Sequence, residues 1–209
     1  MPEQLSLLGF GATAAPFTPE RMSDQGGKLL GHTLFLAIVP QSEDAQRVAA
    51  AAADLSTQHG LAGTQLPPRR LHITLHAIAA YRKTQTIPQL DVDAARAAAA
   101  SVVCPPLPIV FDRALSFTES DAFVLRCNTS GDAAVARLRQ SLTLALRRVG
   151  LRHKPSSTPH MTLLYDKHHI AERPIDPICW AASRFALILS HVGVGHHQWI
   201  DQWPLADRH

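Results

Sequence analysis

Two stretches combine residues that could do chemistry at the same spacing: His72-Ile73-Thr74-Leu75 and His160-Met161-Thr162-Leu163. In an extended strand, residues two apart share a face, so each imidazole is paired with the hydroxyl two positions later. Ile73, Leu75, Met161 and Leu163 then point the other way and anchor the strand in a core. An imidazole can be neutral or charged near neutral pH, so two of them on opposite sides of a phosphorus atom can supply both a base and an acid. Thr74 and Thr162 can donate hydrogen bonds to the non-bridging oxygens. In-line displacement at a phosphate ester is the chemistry this set suits, with His72 and His160 as the catalytic pair.

A His-x-Thr triplet alone is common, and the elements around these two carry the rest of the weight. Shifting the chain by 88 positions places His72 on His160, Thr74 on Thr162 and Leu75 on Leu163, and also Phe35 on Phe123, Ser42 on Ser130 and Asp44 on Asp132. A shared offset over strand, cap and tetrad points to an internal duplication. Each copy reads as a strand, a helix ended by glycine, a basic Pro-containing stretch and the tetrad strand.

In the first copy these are Thr33 to Val39, a helix capped by Ser42 with Val48, Ala52 and Leu55 on one stripe, Gly60, then Pro67 to Arg70. In the second they are Phe123 to Cys127, a helix from a Ser130-Gly131-Asp132 cap region to Val149, and Gly150. Between the copies lie an Ala-rich helix from about Asp91 to Ser101 and a strand near Ile109 to Phe111. Strands from Arg184 to Ser190 and from Gln198 to Asp201 follow the second tetrad. Short connections favour hairpins, so the fold class is α+β, a two-lobed duplication with antiparallel or mixed sheets lining a central cleft and helices outside.

The 209 residues and 46% hydrophobic content are enough for a real core. Residues 1–30 show neither helical nor strand period and read as a flexible tail, leaving 31–209 as one two-lobed domain. No apolar run reaches the roughly 18 residues of a membrane span, and the N-terminus lacks a secretory signal pattern, so a cytoplasmic location without membrane contact is expected. Cys104, Cys127 and Cys179 have no zinc or disulfide spacing, most of the histidines read as surface residues, and no metal or other cofactor is expected. The net charge of +3 suits an anionic ligand without specifying one.

At the tetrads the chain resembles the 2H phosphoesterase superfamily and, within it, the LigT-like bacterial RNA 2',3'-cyclic phosphodiesterases, also called the 2'-5' RNA ligase family. The resemblance extends over about residues 32 to 205 and includes Pro159 before the second histidine. It implies hydrolysis of RNA terminal 2',3'-cyclic phosphates to 2'-phosphates; separately from the resemblance, the chain is expected to act as a monomer. His72 would protonate the leaving 3' oxygen, His160 would activate water, and Thr74 and Thr162 would hold the phosphate.

The chain departs from the family pattern after each tetrad. Family members often carry an aromatic residue after the first and an Arg two residues past the second, where His76 and Tyr165 stand. Both are candidate cleft contacts, His76 because four positions along one strand returns to the face of His72. Arg69, Arg70, Arg152 and Lys154 are the cations available in place of the family Arg. Phe117 and Phe123 read as core aromatics, with base stacking as the alternative. Joining of RNA ends through a 2'-5' linkage, a related phosphodiesterase activity on small nucleotides, and a non-catalytic RNA-binding module are the competing functions.

Overall fold

The strand expected from Thr33 to Val39 forms as β1 (Gly31–Ile38) and leads into α1 (Ser42–Gln58). These elements come from a computed structural model that describes residues 31–82, 85, 87–156, 158–193 and 195–206. The tail expected over residues 1–30 lies outside that range. A 3-10 turn at Pro68–Arg70 precedes β2 (Ile73–Tyr81), followed by α2 (Gln89–Ala100), β3 (Leu107–Phe117) and β4 (Ala122–Cys127). The second copy continues with α3 (Thr129–Arg148), a two-residue β5 (Lys154–Pro155) and β6 (His160–Tyr165). Last come β7 (Arg173–Ala182), β8 (Arg184–Val192) and β9 (His196–Pro204).

Among the described residues the strands form one sheet in the order β7-β3-β4-β6-β2-β1-β8-β9, with β5 paired to β2. Every pairing is antiparallel. The order is a palindrome of the duplication: β4 and β6 mirror β1 and β2, and the halves meet where the two tetrad strands pair. β7 has no counterpart in the sequence expectations. Pro174 and Pro177 depress its strand propensity, and the sheet accommodates them because β7 is an edge strand.

The helix starts differ by a residue or two from expectation. Ser42 is the first residue of α1 rather than its cap, and Gln41 at the cap makes no side-chain capping bond, its amide donating instead to the Ser183 hydroxyl at 3.0 Å. Asn128, ahead of the Ser130 region, caps α3 by accepting from the Gly131 amide at 2.9 Å. Both helices end in left-handed glycines, Gly60 at φ 62° and Gly150 at φ 70°, as their positions predicted.

One face of the sheet carries the main core. Leu34, Leu36, Ile73, Leu75, Leu125, Met161, Leu163 and Leu187 are fully buried there with the apolar stripes of all three helices. Full burial of each such side chain contributes roughly 1.5–3 kcal/mol. The helices also tie the halves together crosswise. From α1, Arg47 donates to the Cys179 carbonyl of β7 at 3.0 Å. From α3, Arg139 donates to the Thr74 carbonyl of β2 at 2.9 Å.

Candidate active site

The halves join where Ile73 of β2 pairs with Met161 of β6. Antiparallel geometry around that pair sets His72 opposite Thr162 and Thr74 opposite His160, with the diagonal His72 and His160 backbones roughly 7–8 Å apart. Ile73 and Met161 are 0% exposed on the core face, while His72, Thr74, His160 and Thr162 are half-buried on the other. The structure therefore brings the two expected histidines and the two expected threonines onto one surface.

The two imidazoles are held in the same way. Nδ1 of His72 lies 2.7 Å from the Arg70 carbonyl, and Nδ1 of His160 lies 2.8 Å from the Thr158 carbonyl. A carbonyl oxygen only accepts, so each Nδ1 carries the hydrogen and each Nε2 is left to exchange a proton with whatever enters. In both tetrads the acceptor is two residues upstream, so the local chain conformation that sets the tautomer has been duplicated along with the residues.

The surroundings of the two rings are not equivalent. His72 packs against Phe35 and His197, with ring centroids 5.1 and 5.3 Å away. Burial pushes its pKa down to about 4; the Arg70 carbonyl opposes this, and the positive charges of His160 and Arg70 add to it. His197, itself 5.7 Å from Phe35, is also pushed down to about 4, mainly by burial and then by His72 and Arg70. His160 meets the edge of Phe117 at 4.8 Å. Its pKa is lowered by burial, against the bond to Thr158, and further by the charge of Arg139 beneath the sheet.

His76 is not in the cleft. The register of β2 against β1 steps from Ala37↔Thr74 to Leu36↔His76, so Leu75 is the extra residue of a β-bulge and alternation shifts by one. His76 is 0% exposed under the sheet, with Nε2 2.9 Å from the Thr143 hydroxyl of α3. β6 has the same bulge at Leu163, where pairing steps from Val124↔Thr162 to Phe123↔Leu164. There the shift works the other way for Tyr165, bringing it onto the face of His160 and Thr162, where it is 53% exposed. The carbonyl of each bulge residue is satisfied by the loop of the other half: Ser156 donates to Leu75 at 3.0 Å and Leu66 donates to Leu163 at 2.7 Å.

Of the four cations expected to stand in for the family Arg, Arg70 is the one beside the first tetrad. Its guanidinium is near the hairpin glycine Gly195 and acts on both His72 and His197. Arg69, Arg152 and Lys154 are exposed. Beside the second tetrad is Arg126, the β4 partner of His160, which is ion-paired at 2.8 Å with Glu172. Phe117 is a ring neighbour of His160, and Phe123 is a core residue, 0% exposed. His197 and Phe35 are site neighbours that the sequence does not single out. Phe35 reads in sequence as one more apolar strand residue, and His197 arrives from a hairpin far along the chain. Among the described residues, no three His, Cys, Asp or Glu side chains are grouped as a metal site requires.

Comparison with known proteins agrees with this geometry. The profile described as the 2'-5' RNA ligase superfamily matches residues 31–193. No curated protein matches. Among solved structures, E. coli LigT in apo form aligns with a TM-score of 0.66 at 20% identity, covering 85% of this chain and 99% of that one. E. coli LigT complexed with 3'-AMP aligns with a TM-score of 0.65 at 19% identity over the same shares. TT0787 of Thermus thermophilus aligns with a TM-score of 0.61 at 18% identity, covering 85% of this chain and all (100%) of that one. At these identities the alignments establish a fold shared with E. coli LigT, and the profile match over most of the chain establishes the family: this protein belongs to the 2'-5' RNA ligase superfamily.

Proposed function

We propose that the protein opens a 2',3'-cyclic phosphate at an RNA end to a 2'-phosphate without a metal ion. The observation that carries this reading is the pairing of Ile73 with Met161, which sets two imidazoles and two threonine hydroxyls on one face with both Nε2 atoms free of the backbone. His160 takes a proton from water as its oxygen bonds to phosphorus. The bond from phosphorus to the 3' oxygen breaks, and that oxygen takes a proton from His72. Thr74 and Thr162 donate to the non-bridging oxygens. Tyr165 adds a neutral donor on the same face, and Arg70 and Arg126 supply positive charge on either side. The ring strain of a cyclic ester lowers the demand on the nucleophile. That E. coli LigT has been solved with phosphate and with 3'-AMP is in keeping with a nucleotide phosphate as ligand.

With a 5' hydroxyl in place of water as the nucleophile, the same groups would join a cyclic end to that hydroxyl through a 2'-5' linkage, the bond to the 3' oxygen breaking as before. The test is turnover of chelator-treated protein on RNA ending in 2',3'-cyclic phosphate, with the phosphate position of the product identified. His72→Ala and His160→Ala are each expected to lose at least about a hundredfold in rate, the contribution of one proton transfer. Near-wild-type turnover by either variant would remove that residue from the mechanism.

A further inference from the structure

A second cavity, of about 400 Å³, lies at the end of β1 beside the first tetrad. Val39, Pro68 and Leu71 are among its apolar walls, the start of α1 closes one side, and Arg69, Arg184 and Trp199 also line it. Leu71 is the chain neighbour of His72, so the wall of this cavity and the start of the catalytic strand are one piece of backbone. The β9 register sets Trp199 opposite Ile188, and Ile188 lies opposite Phe35, the residue that packs on the His72 ring. Trp199 therefore belongs to the same face of the sheet as the first tetrad.

Trp199 is 42% exposed, an unusual state for an indole in a pocket with apolar walls. The Arg184 guanidinium sits 5.6 Å from the centroid of its ring, and Arg184 Nε is buried without a protein partner. An indole has two faces, and one cation occupies one of them. The exposed Arg69 adds a second positive charge, and the described lining holds no carboxylate. A flat aromatic ligand carrying negative charge fits this combination: its ring stacks on the indole and its anion meets the arginines. An RNA end carries such a group one step from its terminal phosphate.

We propose that this cavity is a subsite for the penultimate nucleotide of the RNA, with its base on Trp199 and the linking phosphate at Arg69 and Arg184. The inference rests on the reading that the cleft acts on an RNA end, and it adds that the enzyme distinguishes an oligonucleotide from a mononucleotide.

The experiment compares a trinucleotide ending in 2',3'-cyclic phosphate with a mononucleoside 2',3'-cyclic phosphate. Trp199→Ala and Arg184→Ala are expected to lower kcat/KM on the trinucleotide at least tenfold, through KM, with at most a twofold change on the mononucleotide. Trp199→Phe should restore most of the loss. Equal losses on both substrates, or no loss on the trinucleotide, would overturn the subsite. Should Trp199→Ala fail to fold, Arg69→Glu on the exposed turn must show the same split between substrates. If the wild-type protein turns over neither substrate, the catalytic reading is the one that fails. The subsite is then judged by binding of a fluorescein-labelled trinucleotide: a Kd tenfold weaker in Trp199→Ala supports it, and an unchanged Kd overturns it.

Discussion

His72 presents a conflict between its environment and its proposed task. Burial against Phe35 and His197 pushes its pKa down to about 4, so in the free protein at neutral pH it is unprotonated, whereas a general acid must arrive with a proton. An anionic phosphate bound against Nε2 favours the charged ring and raises that pKa. Because kcat/KM reports the free protein and kcat the complex, kcat/KM should peak at lower pH than kcat. The check is a pair of pH profiles on a cyclic-phosphate substrate, taken where thermal melts show the fold intact; coincident maxima would remove His72 as the acid. His197 belongs to the same argument. His197→Ala lets water reach His72, its pKa rises, and the alkaline limb of the kcat/KM profile is expected to move to higher pH. A His197 that only packs would leave that limb in place.

At the scale of elements, the two bulges decide which side chains belong to the cleft. Leu75 and Leu163, each the last residue of a tetrad, are the extra residues of the bulges, so the position after the bulge turns to the core in both copies: it is Leu164 in one and His76 in the other. His76 bears the cost of that place, its Nδ1 buried without a partner and its pKa pushed down to about 3 by burial and the charges of His153 and Arg139. His76→Leu, which installs the residue of the other copy, is expected to raise stability in urea by about 1 kcal/mol and leave kcat/KM within about twofold. A large loss of activity would mean that His76 acts on the substrate after all. The tetrads, the duplication and both glycine stops are legible in the sequence because each is a local pattern repeated at a near-constant offset. The bulges are not, because simple alternation runs straight through them; the one trace is that Leu164, the counterpart of His76, is apolar. Tyr165 reaches the cleft for the same hidden reason. β7 escapes notice because Pro174 and Pro177 are tolerated only at a sheet edge, and edges are set by topology. His197 depends on a hairpin packing back over the cleft, which no spacing in the chain encodes.

For the whole molecule, the described seam between halves has one ladder pair, Ile73 with Met161, and the crosswise contacts of loops and helices reinforce it. The Asp166 carboxylate accepts from the amides of Ala62 and Gly63, both at 2.7 Å, tying the loop after α1 to the loop after β6. A side chain at Gly63 would collide with the Tyr165 carbonyl, so these loops meet at backbone contact. Three buried or half-buried histidines, His72, His76 and His197, lie at or near the seam with pKa values of about 4, 3 and 4. In the unfolded chain each titrates near 6.5, so between that value and the folded pKa the unfolded state binds more protons. Their neutral form thus stabilises the fold fully above pH 6.5, and this stability is lost as pH falls toward 4. Asp166 has a lowered pKa, held there by the amides of His168, Gly63 and Ala62, and its contribution is lost only below the ordinary carboxylate range near 4. The histidines act first. Together they remove on the order of 5 kcal/mol between pH 7 and pH 5, comparable to the entire stability of many domains. Urea melts at pH 7, 6 and 5 should show midpoints falling steeply across the series, and His76→Leu should reduce the slope by about a third, since it removes one of three similar proton sinks. Midpoints that stay level down to pH 5 would show that these rings are hydrated in solution, and the acid-shifted kcat/KM profile would lose its physical basis with them.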